Sequence, residues 1–186
     1  MLLPTGTGEA RQLTRSNVDH VSGGWFPDGT RMVFVGSEGA GHQSRSYLLN
    51  LDGTEKPLTP EGLVGTLVTP DGRFVLVSRA RTGEWQLFSV DGGSAQRITA
   101  LQADDIPLRF TPDGRTLDVA RVVNLRVQFY RVDLQSGSRK LLRDVGPDDL
   151  VGVAIVGAPA ISPDGRSFGY QFRRTISSLY GVDGLK

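Results

Sequence analysis

The chain contains no cysteine, only two histidines, two methionines and two tryptophans among its 186 residues, and no long apolar run. Without cysteine there are no disulfides, zinc thiolate sites or cysteine nucleophiles, although the absence fits a reducing and an oxidising compartment equally. His20 and His42 do not form a spaced ligand pair, so no metal site is expected. The apolar stretches are short, as in "VAIV" at 153–156, far below the roughly 20 residues that cross a bilayer. No membrane contact by these residues is expected. The opening "MLLPTGTGEARQLT" lacks a cationic start and a long enough apolar stretch for a targeting peptide. A formal net charge of +1 gives no reason to expect a nucleic acid partner.

Catalytic signatures are also missing. There is no Gly-x-Ser-x-Gly elbow, "VAIV" lacks the nucleotide-anchoring lysine, and neither His-Arg-Asp nor Asp-Phe-Gly occurs. The glycine-rich "GSEGAGHQS" (36–44) has no Lys-Ser/Thr and reads as a flexible loop. The Asp-Gly pairs lack the alternating acids of a calcium loop. The expectation is a non-enzyme without cofactor, leaving open an attached kinase or hydrolase domain.

What the chain has is glycine, proline and a repeat. With 24 Gly and 10 Pro, no stretch sustains a helical period. Pro27-Asp28-Gly29, Pro70-Asp71-Gly72, Pro112-Asp113-Gly114 and Pro163-Asp164-Gly165 recur at intervals of 43, 42 and 51 residues. Each is followed by strand-like alternation, as in "FVLVSR" from Phe74. Proline presets φ near −65°, aspartate tolerates the next turn position, and glycine accepts the left-handed conformation that closes a hairpin. Second tips at "LDGT" (51–54), "VDGG" (90–93) and "QSGS" (135–138) give four short strands per unit. The units are 15–59, 60–99, 100–142 and 143–186, with 1–14 as the end of a preceding one. Four-stranded sheets at this period are β-propeller blades, since one blade cannot bury both faces alone. A β-sandwich would not need the same turn at the same place in every unit. Trp25, Trp85 and Phe129 are expected in the blade core.

These Pro-Asp-Gly tips, preceded by Phe26, Thr69, Thr111 or Ser162, resemble the blade repeats of TolB and its relatives over nearly the whole chain. The tail "SFGYQFRRTISSLYGVDGLK" is similar to the end of propeller regions appended to bacterial transmembrane serine/threonine kinases. The resemblance implies a bacterial, extracytoplasmic (periplasmic) binding or sensory module for a protein, peptide or small ligand. The alternative is an accessory propeller that gates a hydrolase of the prolyl oligopeptidase kind.

About four blades stand at the lower end of the range for closed propellers, and the inventory equally fits a fragment of a larger ring. An N-terminal strand at Ala10–Thr14 is expected to complete the last blade, formed by 160–162, 167–172 and 178–182. Open blade edges would permit a homodimer. The loops joining second to third strands and those joining blades should share one face, opposite the Pro-Asp-Gly tips. That face gathers Asp19, His20, Glu61, Asp104, Asp105, Asp148 and Asp149 with Arg79, Arg121 and Arg173, eight or nine residues after their repeat aspartates, as a mixed-charge binding mouth. The competing reading is that these charges are solvated or mutually paired.

Overall fold

The computed structural model describes residues 1–79, 82–93 and 95–180. Among them there is no helix, so none is long and apolar enough to cross a membrane. Fourteen strands form sheets that are each built from chain-consecutive antiparallel neighbours. The first sheet is β1 (Asp19–Trp25), β2 (Arg31–Ser37), β3 (Arg45–Asn50) and β4 (Glu55–Pro57). The second is β5 (Leu63–Val68), β6 (Phe74–Arg79), β7 (Trp85–Ser89) and β8 (Gln96–Ile98). The third is β9 (Ile106–Phe110), β10 (Thr116–Val123), β11 (Arg126–Asp133) and β12 (Arg139–Val145). The fourth pairs β13 (Val153–Ile161) with β14 (Phe168–Arg174).

Each Pro-Asp-Gly joins the first two strands of its sheet, with Gly29, Gly72, Gly114 and Gly165 at φ +67° to +73°. The turn is a closed hydrogen-bonded unit. Gly72 N–H donates to the Thr69 carbonyl (2.8 Å), and the Asp71 carboxylate accepts from the Arg73 N–H (3.0 Å) and the Thr69 hydroxyl (2.6 Å). That hydroxyl in turn accepts from the Phe74 N–H (3.1 Å). Thr111 and Ser162 repeat these bonds around Asp113 and Asp164. In the first unit Phe26 stands in the hydroxyl's place; Asp28 keeps the bond from the Thr30 N–H and accepts from Arg31 in place of the hydroxyl.

Successive turns nest. A Cβ on Gly72 would lie 3.9 Å from Pro27, and one on Gly114 would lie 3.7 Å from Pro70. Away from the turns, alternate side chains form three interior layers between consecutive sheets. Phe26, Val33 and Leu48 meet Val68, Val75 and Val77 between the first and second, and Leu76 meets Phe110, Leu117 and Val132 between the second and third. Phe129 and Val127 meet Val156 and Phe168 between the third and fourth. Buried hydroxyls pin the first joint, where Ser46 Oγ donates to the Gly65 carbonyl (2.7 Å) and accepts from the Gly65 N–H (2.9 Å). This is β-propeller architecture, each blade burying its apolar faces against its neighbours.

Several expectations need correction. The fourth sheet has two strands, and 175–180 is irregular; 181–182 of its expected third strand lie outside the described residues. Ala10–Thr14 does not complete that sheet. Arg11 pairs with Leu2 and its guanidinium reaches the Leu51 carbonyl (2.7 Å), while Leu13 packs on Phe34, Tyr47 and Leu49 of the first sheet. Strand β12 runs on to Val145, past the expected unit boundary at 142. Trp25 is 46% exposed at the end of the largely exposed strand β1, whereas Trp85 packs into the second layer and Phe129 is buried.

Two substitutions separate the parts of the turn. Thr111→Val removes the hydroxyl's bonds and is expected to cost about 1 kcal/mol. Gly114→Ala forces a Cβ into the left-handed region and is expected to cost about 1 to 2 kcal/mol. Urea denaturation checks both, and a Gly114→Ala protein as stable as the parent would refute the assigned backbone geometry.

Candidate functional site

Antiparallel order sends the β2–β3, β6–β7 and β10–β11 loops and the three connectors between sheets to the end opposite the Pro-Asp-Gly turns. Ion pairs tie loop to connector there. Glu61, in the first connector, accepts from His42 (2.9 Å), Arg45 (3.1 Å) and the Gln43 N–H (3.3 Å). Arg45 also reaches Glu38, which accepts the Tyr47 hydroxyl (2.9 Å). The His42 bond, followed by the Gln43 N–H, lowers the Glu61 pKa against a smaller desolvation effect. The glycine-rich loop is thus tethered at both its histidine and its glutamate.

The second connector is built around Asp105, whose side chain is inaccessible to solvent. Its carboxylate accepts from Arg121 Nε (2.7 Å), Arg139 Nη1 and Nη2 (2.9 and 2.6 Å) and the Gln102 N–H (2.8 Å). Burial pushes the Asp105 pKa up, but the arginine and backbone bonds outweigh it and hold the group below the usual carboxylate value. Arg121 further contacts Gln102 and lies 3.4 Å from the exposed Asp104. In the third connector Asp149 pairs with Arg174 at the end of β14 (3.2 Å), and Arg126 holds Asp144 at the end of β12 (2.6 Å). The candidate residues therefore divide. Glu61, Asp104, Asp105 and Arg121 gather with partners on the connector face, and the exposed Arg79 closes β6 opposite Leu63 there.

Asp19 opens β1 opposite Ser37 and is exposed. His20 turns to the outer face of the first sheet, against Phe34 (ring centroids 4.3 Å) and 3.8 Å from Glu55, in a groove of about 320 Å³. Arg173 lies opposite Ile155 and lines a groove on the fourth sheet with Ile155 and Gln171. The residue equivalent to Arg79 is Arg174, since each faces the first residue of its inner strand, Leu63 and Val153. Arg174 lies ten residues after Asp164 where Arg79 lies eight after Asp71, because β13 and β14 are longer than β5 and β6.

Sequence reasoning missed a second buried carboxylate. Asp118, in the middle of β10, accepts from Arg109 Nε (2.9 Å) and from Arg131 Nε and Nη2 (2.8 and 3.0 Å). Arg109 also donates to the Pro163 carbonyl, which anchors the fourth Pro-Asp-Gly turn to the third sheet. The signal was available as an acid inside the apolar alternation "TLDVAR".

The repeat, the turns and the layered sheets define a TolB-like β-propeller, and comparison with known proteins agrees. No protein-family profile matches the chain. The TolB of Acinetobacter baumannii superposes with a TM-score of 0.62 at 25% identity, over 86% of this chain and 39% of that one. The uncharacterized protein Atu1656 of Agrobacterium fabrum is 31% identical over 184 residues, covering 91% of this chain and 60% of the relative. The uncharacterized peptidase YuxL of Bacillus subtilis is 28% identical over 166 residues, 87% of this chain and 23% of the relative. The chain thus spans less than two thirds of the curated relatives it matches.

Asp105→Ala strands two arginines and is expected to cost about 3 kcal/mol. Arg79→Ala, at an exposed strand end, should change stability by less than about 0.5 kcal/mol. The lowered Asp105 pKa adds stability that is complete above the unfolded value near 3.9 and is lost as pH falls through the folded value. Denaturation midpoints measured from neutrality into this acid range should therefore decline, and decline less steeply in Asp105→Asn. An equal slope in that variant would refute the assignment.

Proposed function

We propose that the chain is a non-catalytic recognition module that binds a protein or peptide on its connector face. The observation that carries the reading is preorganisation: Asp105 and Glu61 are each clamped by two or more side chains, so the exposed groups beside them stand on a fixed frame. A fixed frame reduces the ordering cost of binding. Likeness to TolB supports the same class and an extracytoplasmic, bacterial setting. The tail at 167–186 supports placement beside a membrane-anchored kinase, as a sensory part of it.

The reading is tested with a photoreactive side chain placed in the natural host at Asp104 or Val123 on the connector face, and at Arg73 or Asp91 on the turn face. Defined cross-links from the first pair alone are expected; cross-links from the turn face alone would overturn the proposal. A second reading, a propeller that gates a hydrolase, draws on the likeness to YuxL. It requires that the natural full-length polypeptide hydrolyse peptide anilides. Side-by-side pairing of two copies is a further proposal, motivated by the half-exposed Ile155 and Phe172 on the last sheet. A monomer mass by light scattering across a wide concentration range would remove it.

A further inference from the structure

We infer that the groove between the second and third Pro-Asp-Gly turns binds a small molecule that carries a guanidinium group on an alkyl stem. The site lies on the turn face and is independent of the recognition reading, which concerns the opposite end of the molecule. The groove measures about 400 Å³. It is lined by Pro70 and Asp71 of the second turn, Pro112 and Asp113 of the third, and the half-buried Phe74 and Leu87 of the second sheet. A mostly apolar cleft of this size with a few polar groups is the usual form of a small-molecule site.

Two of the chain's own arginines show what such a turn takes. At the first turn Asp28 Oδ2 accepts from Arg31 Nε (3.2 Å) and Nη2 (2.9 Å), and the Arg31 guanidinium lies over the Phe26 ring, 4.4 Å from its centroid. At the fourth turn Arg109 donates to the Pro163 carbonyl, and a Cβ on Gly165 would lie 2.5 Å from Arg109 Nη2. A guanidinium thus rests against the first turn and against the fourth. The position of Arg31, three residues after the turn aspartate, is held at the second turn by Phe74 and at the third by Thr116. Asp71 and Asp113 each use Oδ1 for both turn bonds, from the threonine hydroxyl and from the arginine amide that follows. Their Oδ2 atoms, the counterparts of the atom that holds Arg31, accept no hydrogen bond among the described residues.

A ligand guanidinium would meet in this groove the two features that hold Arg31, a carboxylate oxygen and an aromatic ring. A planar guanidinium matches a carboxylate with parallel N–H groups and stacks on a ring, whereas a compact ammonium does neither as well. Both carboxyls are held below the usual value, chiefly by the hydroxyls of Thr69 and Thr111, so both are ionised at neutral pH. Of the neighbouring cations, Arg115 is engaged by Asp133 (2.9 Å). Arg73 reaches the Phe74 ring only at 5.8 Å and makes no ion pair among the described residues. Two carboxylates therefore stand against one uncommitted arginine, and a monocation balances the remaining charge.

The test is an amide NMR titration of the whole chain with n-butylguanidinium and with n-butylammonium, which share stem and charge. Shifts are expected at 71–74, 87 and 113–116, with the guanidinium binding roughly tenfold more tightly. Phe74→Leu keeps the lining apolar but removes the ring, and should bring the two affinities together. Thr69→Phe with Phe74→Arg copies the pair found in the first unit and should abolish binding while the unbound spectrum stays folded. Should that pair fail to fold, Asp71→Asn with Asp113→Asn keeps an acceptor for every turn bond and should weaken the guanidinium roughly tenfold. Equal affinities in the parent chain, shifts confined to other residues, or full binding by the asparagine variant would each overturn the site. None of these outcomes bears on the recognition reading, which the cross-links decide.

Discussion

A glycine near φ +70°, locked by an aspartate that accepts from the next residue's amide, reverses the chain at the same point in every unit. The reversal sets the register of the first two strands and therefore which alternate side chains face the neighbouring sheet. Because the second and third turns nest their glycines against the preceding proline, the same element also spaces the first three sheets. Interior layers of valine, leucine and phenylalanine then supply the nonpolar contacts, and their position follows from the turns.

Much of this was legible because a turn is local chemistry. Pro-Asp-Gly has one economical conformation, and Gly72 and Gly114 adopt it. The hydroxyl at Thr69, Thr111 and Ser162 was visible as a repeated residue type, but its bonds to aspartate and to the strand amide follow only from coordinates. Pairing over longer separations was less readable. Counting placed Arg173 beside Arg79, whereas the longer β13–β14 hairpin puts Arg174 opposite the first residue of its inner strand, as Arg79 is. Asp105 looked like a surface acid because its neighbour Asp104 is one, and only the fold brings Arg139, 34 residues away, onto it. Strand inventory places the N-terminal segment on the last sheet, whereas Leu13 packs on the apolar side chains Phe34, Tyr47 and Leu49 of the first.

The two buried carboxylates serve different ends of the same sheet. Asp105 secures the connector that enters the third sheet on the loop face, and Asp118 secures the strands behind the fourth turn. Each is held by two guanidinium groups, which offsets the desolvation that an isolated buried carboxylate would suffer. The loop face is thereby a fixed frame decorated with exposed side chains.

Arg109 bridges the buried Asp118 and the carbonyl of Pro163, so the third sheet reaches into the hairpin that follows it. If the last hairpin detaches, Arg131 still covers Asp118, and the charge is not left alone. Melting can therefore begin at that hairpin and halt there, with the remaining blades intact, as expected of a linear array whose members contact only their neighbours.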